Sequence, residues 1–344
     1  MLQFTEIPTL IELQIQRRRI SRLPLPGTFV VLFSMICPLA MQCDGQTPRE
    51  ISAASYLERG KGFATKGDFN RAIADFGIAL QFDPQYANAY IARGLARLMN
   101  GELQGAVSDC SKAIELNPRL ALAYCTRAHV RSHSGDLDGA LRDYDRALEL
   151  QPRLAEALNG RGGVRGIKGD IQGALSDLDT AIRISPRNPL AFYNRGLARQ
   201  AVGDLFGAIA DFDRAIGQDP KSFAAYRARG DARTEQRQFA HAIVDYNKAI
   251  QLNPVDAVAY MNRGNACVAQ GEVRAGLVDH DRAIELDPRL ALAYANRGWA
   301  RLLLGDELGA GKDFQKSFEL DDALRIKFEP RINKQRRLLA EKQR

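Results

Sequence analysis

The chain has 344 residues, of which 45% are hydrophobic, 26% charged and 8% aromatic. That soluble, globular composition excludes a collagen-like, disulfide-scaffold or wholly disordered polypeptide. The formal net charge of +7 is local: residues 325–344 hold 8 Lys/Arg against 2 Asp/Glu, while residues 51–324 balance at 35 of each. A nucleic-acid partner needs cations spread along the body or striped on one face, so none is expected.

Residues 1–43 read as a signal peptide or signal-anchor. Arg17, Arg18, Arg19 and Arg22 precede an apolar run from Thr28 to Met41, the pattern of a secretory signal. The run is short for a membrane span, which needs roughly 20 apolar residues, and Pro38 interrupts it. Cleavage is expected after Ala40. The chain is therefore expected to be exported (periplasmic or secreted) or anchored, with this segment bringing it near a membrane. A misplaced start codon would instead leave it cytoplasmic. Residues 44–52 link to the first helix, where Thr47-Pro48-Arg49-Glu50 forms a capping box with proline at the first helical position. Cys37 and Cys43 belong to the address; Cys110, Cys125 and Cys267 read as buried small hydrophobes. A Cys110–Cys125 bridge stays open for an exported chain.

From residue 53 to residue 324 the sequence repeats with a period of 34. Pro84, Pro118, Pro152, Pro186, Pro220, Pro254 and Pro288 mark the beat, as do Gly60, Gly94, Gly162, Gly196, Gly230, Gly264 and Gly298, with Ala128 in the one gap. Eight units begin at Ala53, Ala87, Ala121, Ala155, Pro189, Phe223, Ala257 and Ala291. Positions 1–14 of each unit have apolar residues at helical spacing and no internal proline, predicting helix A. Gly-Asp or a relative ends it, and a second apolar-periodic run, helix B, lasts until the proline. Position 8 is Gly or Ala throughout, and positions 20 and 27 are Ala in seven units each. Small residues on both helices let the backbones approach, and stacked neighbours make the core continuous.

With aromatics at position 4, Gly at 8, Ala at 20 and 27 and Pro at 32, the array resembles the tetratricopeptide-repeat family, in its bacterial form. The resemblance implies an all-α α-solenoid, a right-handed superhelix of stacked antiparallel helix pairs whose A helices line a concave groove. It also implies a non-enzymatic protein- or peptide-binding scaffold with no cofactor. Two other roles fit the same architecture: a recognition or adaptor array for a separately encoded enzyme such as a glycosyltransferase, and an assembly factor for an envelope complex.

The sequence departs from that family at position 7, which is Arg59, Arg93, Arg127, Arg161, Arg195, Arg229, Arg263 and Arg297, and carries Asp75, Asp109, Asp143, Asp177, Asp211, Asp245, Asp279 and Asp313 at position 23. Six units add arginine at position 11. Two cations one turn apart repel, and an acid facing them relieves that, so an internal Arg–Asp ladder is expected. The family's ligand-facing positions give a groove best defined toward the C-terminus, with Tyr193, Asn194, Arg227, Asp231, Asn262, Asn265, Asn296 and Trp299 as the peptide-binding candidates. Asparagine donates and accepts at once, which suits a peptide main chain, and Trp299, the sole tryptophan, is an amphipathic anchor. Its competing role is packing beneath the C-terminal segment.

Cys125, His129 and His133 recur at spacing four in the third unit. The outer two are roughly 12 Å apart along a helix, too far to share one ion, so they read as groove lining and no metal is expected. No nucleophile elbow, phosphate loop or zinc-spaced cysteine set occurs, and no enzyme is expected. Residues 325–344 read as a basic capping helix that Pro330 should break in two.

Overall fold

The computed structural model describes residues 48–342; the N-terminal address and Thr47 of the capping box lie outside them. The described residues form seventeen helices and no strand, an all-α solenoid. They fall into two compact units, one ending at Val202 and the other beginning at Gly203.

The first unit contains α1 (Pro48–Thr65), α2 (Phe69–Phe82), α3 (Ala87–Met99), α4 (Leu103–Leu116), α5 (Ala121–Ser134), α6 (Leu137–Leu150), α7 (Ala155–Lys168), α8 (Ile171–Ile184) and α9 (Pro189–Ala201). The second contains α10 (Leu205–Gln218), α11 (Phe223–Glu235), α12 (Phe239–Leu252), α13 (Ala257–Gln270), α14 (Val273–Leu286), α15 (Ala291–Leu303), α16 (Glu307–Leu320) and α17 (Ala323–Lys342). Within each unit, sequence neighbours pack on one another, and A helices of adjacent repeats also touch, as α3 with α5 and α13 with α15.

Local chemistry sets the hairpins. A left-handed residue stops helix A, glycine at Gly135 (φ 88°), Gly169 (φ 90°) and Gly271 (φ 97°), but Arg237 (φ 62°) in the sixth repeat. A side chain in that conformation costs roughly 1–2 kcal/mol. Asp68, Asp136, Asp170, Asp204 and Asp306 then cap helix B, each accepting from the backbone N–H three residues on. These caps satisfy a donor the helix leaves orphaned.

The small residue at position 8 has a specific neighbour. A methyl group at Gly230 would meet the Tyr246 ring at 2.7 Å, and one at Gly264 would meet both the His280 ring at 2.8 Å and the Gly276 carbonyl at 2.9 Å. Glycine thus seats the large side chain of position 24 as well as drawing the backbones together. Phe76, Leu80, Ile91 and Leu95 begin the core of the first unit, continued by Tyr144, Leu158 and Val164. Met261, Leu302, Phe314, Phe318, Phe328 and Ile332 close the second.

The C-terminal segment differs from expectation: α17 runs unbroken through Pro330. Proline forfeits one hydrogen bond to the carbonyl four residues back. Here Ile326 and Pro330 both lie on the exposed side, where a freed carbonyl is open to solvent and its cost is small, while Phe328 and Ile332 hold the other side in the core. The cysteines Cys110, Cys125 and Cys267 are free and buried. No described helix is long and apolar enough to cross a membrane.

Candidate functional site

Seven A helices, all but that of the fourth repeat, place the position-7 guanidinium over the position-4 ring, at 5.5 Å for Arg93 on Tyr90, Arg229 on Tyr226 and Arg297 on Tyr294. In the first unit Arg59, Arg93, Arg127 and Arg161 donate Nε and Nη2 to the two carboxylate oxygens of Asp75, Asp109, Asp143 and Asp177 at 2.7–2.9 Å. In the second, Arg229, Arg263 and Arg297 do the same to Asp245, Asp279 and Asp313 at 2.5–3.0 Å. Arg97, Arg131, Arg165, Arg233 and Arg301 add a third donor to the same carboxylates at 2.7–2.8 Å. Arg195 and Asp211 belong to different units. The seven carboxylates are buried, which makes their pairing obligatory.

The remaining guanidinium nitrogen reaches backward. Nη1 donates to position 25 of the preceding repeat: Arg127 to Ser111 at 3.2 Å, Arg161 to Asp145 and Arg195 to Asp179 at 2.7 Å, Arg263 to Asn247 at 2.6 Å, and Arg297 to Asp281 at 2.8 Å. One arginine therefore clasps its own hairpin and ties it to the previous one. Sequence reading missed position 25 because its residues vary; their shared hydrogen-bonding oxygen was the signal.

The groove candidates divide between the units: Tyr193 and Asn194 lie on α9, the other six on α11, α13 and α15. Asn194 donates its amide to Asn159 Oδ1 at 3.0 Å, and Tyr193 is half-buried. Arg227 donates to Asp256 Oδ2 at 2.7 Å, while Asp256 Oδ1 caps α13 by accepting from the Val258 and Ala259 amides at 3.1 Å. The guanidinium is thus fixed to the start of the next A helix.

Asp231 Oδ1 accepts from the Tyr246 hydroxyl and from Asn262 Nδ2, both at 2.8 Å, and Thr234 Oγ1 lies 3.1 Å from the same hydroxyl. A carboxylate only accepts, so it fixes the Asn262 amide with nitrogen inward and oxygen left over. Asn265 is held by a ring instead. His280 is buried, and burial, with the charge of Arg297 adding, lowers its pKa to about 3. The ring is neutral, and its Nε2 lies 3.0 Å from the Asn265 side-chain amide, which engages one end of that amide. The other end of the Asn265 amide is spare. Asn296, half-buried, makes no side-chain hydrogen bond among the described residues. Three asparagines on two successive A helices thus leave free the oxygen of Asn262, one end of the Asn265 amide and both ends of Asn296. Tyr246, His280 and Asp256 orient this set and were not singled out from sequence; Tyr246 and His280 occupy position 24, a core position by periodicity.

Trp299 is half-buried, packs against the cluster that contains Phe328 and Ile332, and has the Arg331 guanidinium over its ring at 5.1 Å. The ring is engaged with α17.

In the third repeat, His129 is buried rather than lining an open surface. Its Nδ1 lies 2.9 Å from the Cys125 carbonyl and its ring meets Tyr144 edge-on at 5.4 Å. Burial lowers its pKa to about 4. His133 Nδ1 bonds the His129 carbonyl at 2.8 Å. These contacts continue the helix backbone chemistry and do not converge on a common point.

Antiparallel helix pairs of fixed length, clasped across repeats, define a helical-repeat solenoid. A family model described as TPR repeat matches residues 60–101, 167–203 and 230–271, and a second, described as tetratricopeptide repeat, matches 121–154. The chain belongs to the tetratricopeptide-repeat family. Among solved structures it is similar to a tetratricopeptide repeat protein from Parabacteroides merdae, with TM-score 0.54 and 21% identity, covering 73% of this chain and 99% of that one. It is also similar to the APC/C hetero-tetramer Cut9-Hcn1, with TM-score 0.66 and 16% identity over 80% of this chain and 54% of that one. A third likeness is to PilF of Pseudomonas aeruginosa, with TM-score 0.54 and 22% identity over 60% and 94%. At such identities the likeness concerns the fold. No curated protein matches the sequence.

Proposed function

We propose that this chain is a non-enzymatic scaffold that binds a protein or peptide segment along the A-helix face of its second unit. The observation that carries the reading is the pre-oriented asparagine set. Asn262 keeps a free oxygen, Asn265 one free end of its amide, and Asn296 both ends. An extended main chain alternates C=O and N–H and finds complementary partners in that set. The supporting side chains Asp231, Tyr246 and His280 hold the amides before a ligand arrives, which lowers the ordering cost of binding. Nucleophile–base pairs and phosphate-cradling loops are not what this set supplies. Arg227 shapes the face through Asp256.

The test is affinity capture with the immobilised full chain, compared with an Asn262→Ala/Asn296→Ala variant of unchanged melting temperature. A discrete protein retained by the parent and lost by the variant supports the reading. Equal retention by both overturns it.

A further inference from the structure

The outward side of the B helices differs between the units at positions that packing leaves free. In the first unit positions 18 and 22 are Asn70/Ala74, Gln104/Ser108, Asp138/Arg142 and Gln172/Ser176, an ordinary solvated face. In the second they include Phe206 (80% exposed), Val244 (63%), Val278 (66%) and Leu308 (73%). One such residue stands on each of α10, α12, α14 and α16, so they form a row crossing four consecutive B helices instead of scattered single exposures. Positions 18 and 22 are one helical turn apart and share a face.

Charge accompanies the row. The alternate 18 and 22 positions are Ala210 and Ala240 in the fifth and sixth repeats and Arg274 and Lys312 in the last two, and Arg214, Lys248, Arg282 and Lys316 occupy position 26, one further turn along the same face. Lys316 and Arg282 pair with Glu319 and Glu285 on their own helices. Arg214, Arg274 and Lys312 are exposed and make no ion pair among the described residues. The carboxylates Asp213 and Asp281 beside them are spoken for by the arginine clasp. Exposed apolar tips interleaved with unpaired cations match an interface of acyl chains beneath anionic headgroups. A neutral protein surface would leave the cations unmatched.

We propose that the B-helix face of the second unit docks on an anionic lipid surface, with Phe206, Val244, Val278 and Leu308 entering the acyl boundary and Arg214, Arg274 and Lys312 meeting phosphates. The docking does not use the asparagine face.

The experiment places a polarity-sensitive dye on Val278→Cys in the full chain, with Cys37→Ser and Cys43→Ser; Cys110, Cys125 and Cys267 are buried. On adding vesicles of mixed phosphatidylglycerol and phosphatidylcholine, the emission should shift to the blue and at least double, and the change should vanish at high salt and with pure phosphatidylcholine. The same dye on Gln172→Cys, on the outward face of the first unit, should not respond. Val244→Asp with Leu308→Asp, both at exposed positions, should weaken the response at residue 278 at least tenfold. A silent dye at 278 overturns the proposal even when the chain sediments with vesicles through its N-terminal segment. So does an equal response at 172, or a blue shift that needs only more protein and no lipid, which would assign the row to self-association.

Discussion

The two units share one packing scheme and differ in what they show to their surroundings. Each builds hairpins on glycine or alanine at position 8, alanine or glycine at 20, and an arginine–aspartate clasp. In the first unit the inner positions hold buried Ile91, Leu95 and His129, or asparagines bonded to each other, as Asn159 with Asn194; the outer positions are polar apart from Ala74. The second turns unsatisfied amide groups to one side and an apolar, cationic row to the other. Positions fixed by helix contacts are thus poor guides to function. Both proposed recognition surfaces lie where the clasp imposes nothing.

If the clasp is common scaffolding, its loss should cost the same in either unit. Asp143→Ala and Asp245→Ala each strand two guanidiniums at a buried site, and each should lower stability by about 3–5 kcal/mol. Urea denaturation checks this; a loss confined to one unit would break the equivalence.

Acid should separate the units more finely. His129 and His280 are neutral when folded because burial lowers their pKa to about 4 and about 3, whereas unfolded histidine titrates near 6.5. Below that pH the unfolded chain binds more protons, so stability present at neutral pH falls as pH falls, by up to about 1.4 kcal/mol per pH unit for each histidine. The His129 contribution should level off near pH 4 and that of His280 near pH 3. His129→Leu and His280→Phe, which install residues used at those positions in other repeats, should each flatten the stability–pH curve over its own window.

A smaller effect tests the turns. Arg237→Gly should stabilise the chain by about 1 kcal/mol by relieving its positive φ, and Gly169→Arg should destabilise it by a similar amount. Thermal melts of the two variants should move in opposite directions.

The smallest expected effect concerns binding. With a captured ligand, Asn296→Ala should weaken affinity by about 1 kcal/mol, roughly fivefold, while Asn194→Ala, whose amide is already engaged by Asn159, should change it little.

The repeat length, the hairpin boundaries and the pairing partners at positions 7 and 23 can be read from sequence because they recur in register. What escapes that reading is what varies. The backward arm of the clasp ends on Ser111, Asp145 or Asn247, chemically alike but not identical. His280 and Tyr246 occupy a core position, and only coordinates show their polar ends reaching Asn265 and Asp231. Trp299 is visible as a lone amphipathic ring, but its contact with Arg331 depends on the course of α17. Pro330 misleads because a helix rule applied to one bond ignores the burial of Phe328 and Ile332 on either side.

The most direct test of the division between units is hydrogen–deuterium exchange of the full chain with and without its captured ligand. Protection should appear on the segments around α13 and α15, at residues 257–270 and 291–303, with α3 and α5 unchanged. Protection concentrated on α3 and α5, with α13 and α15 unaffected, would place recognition in the first unit and contradict the account.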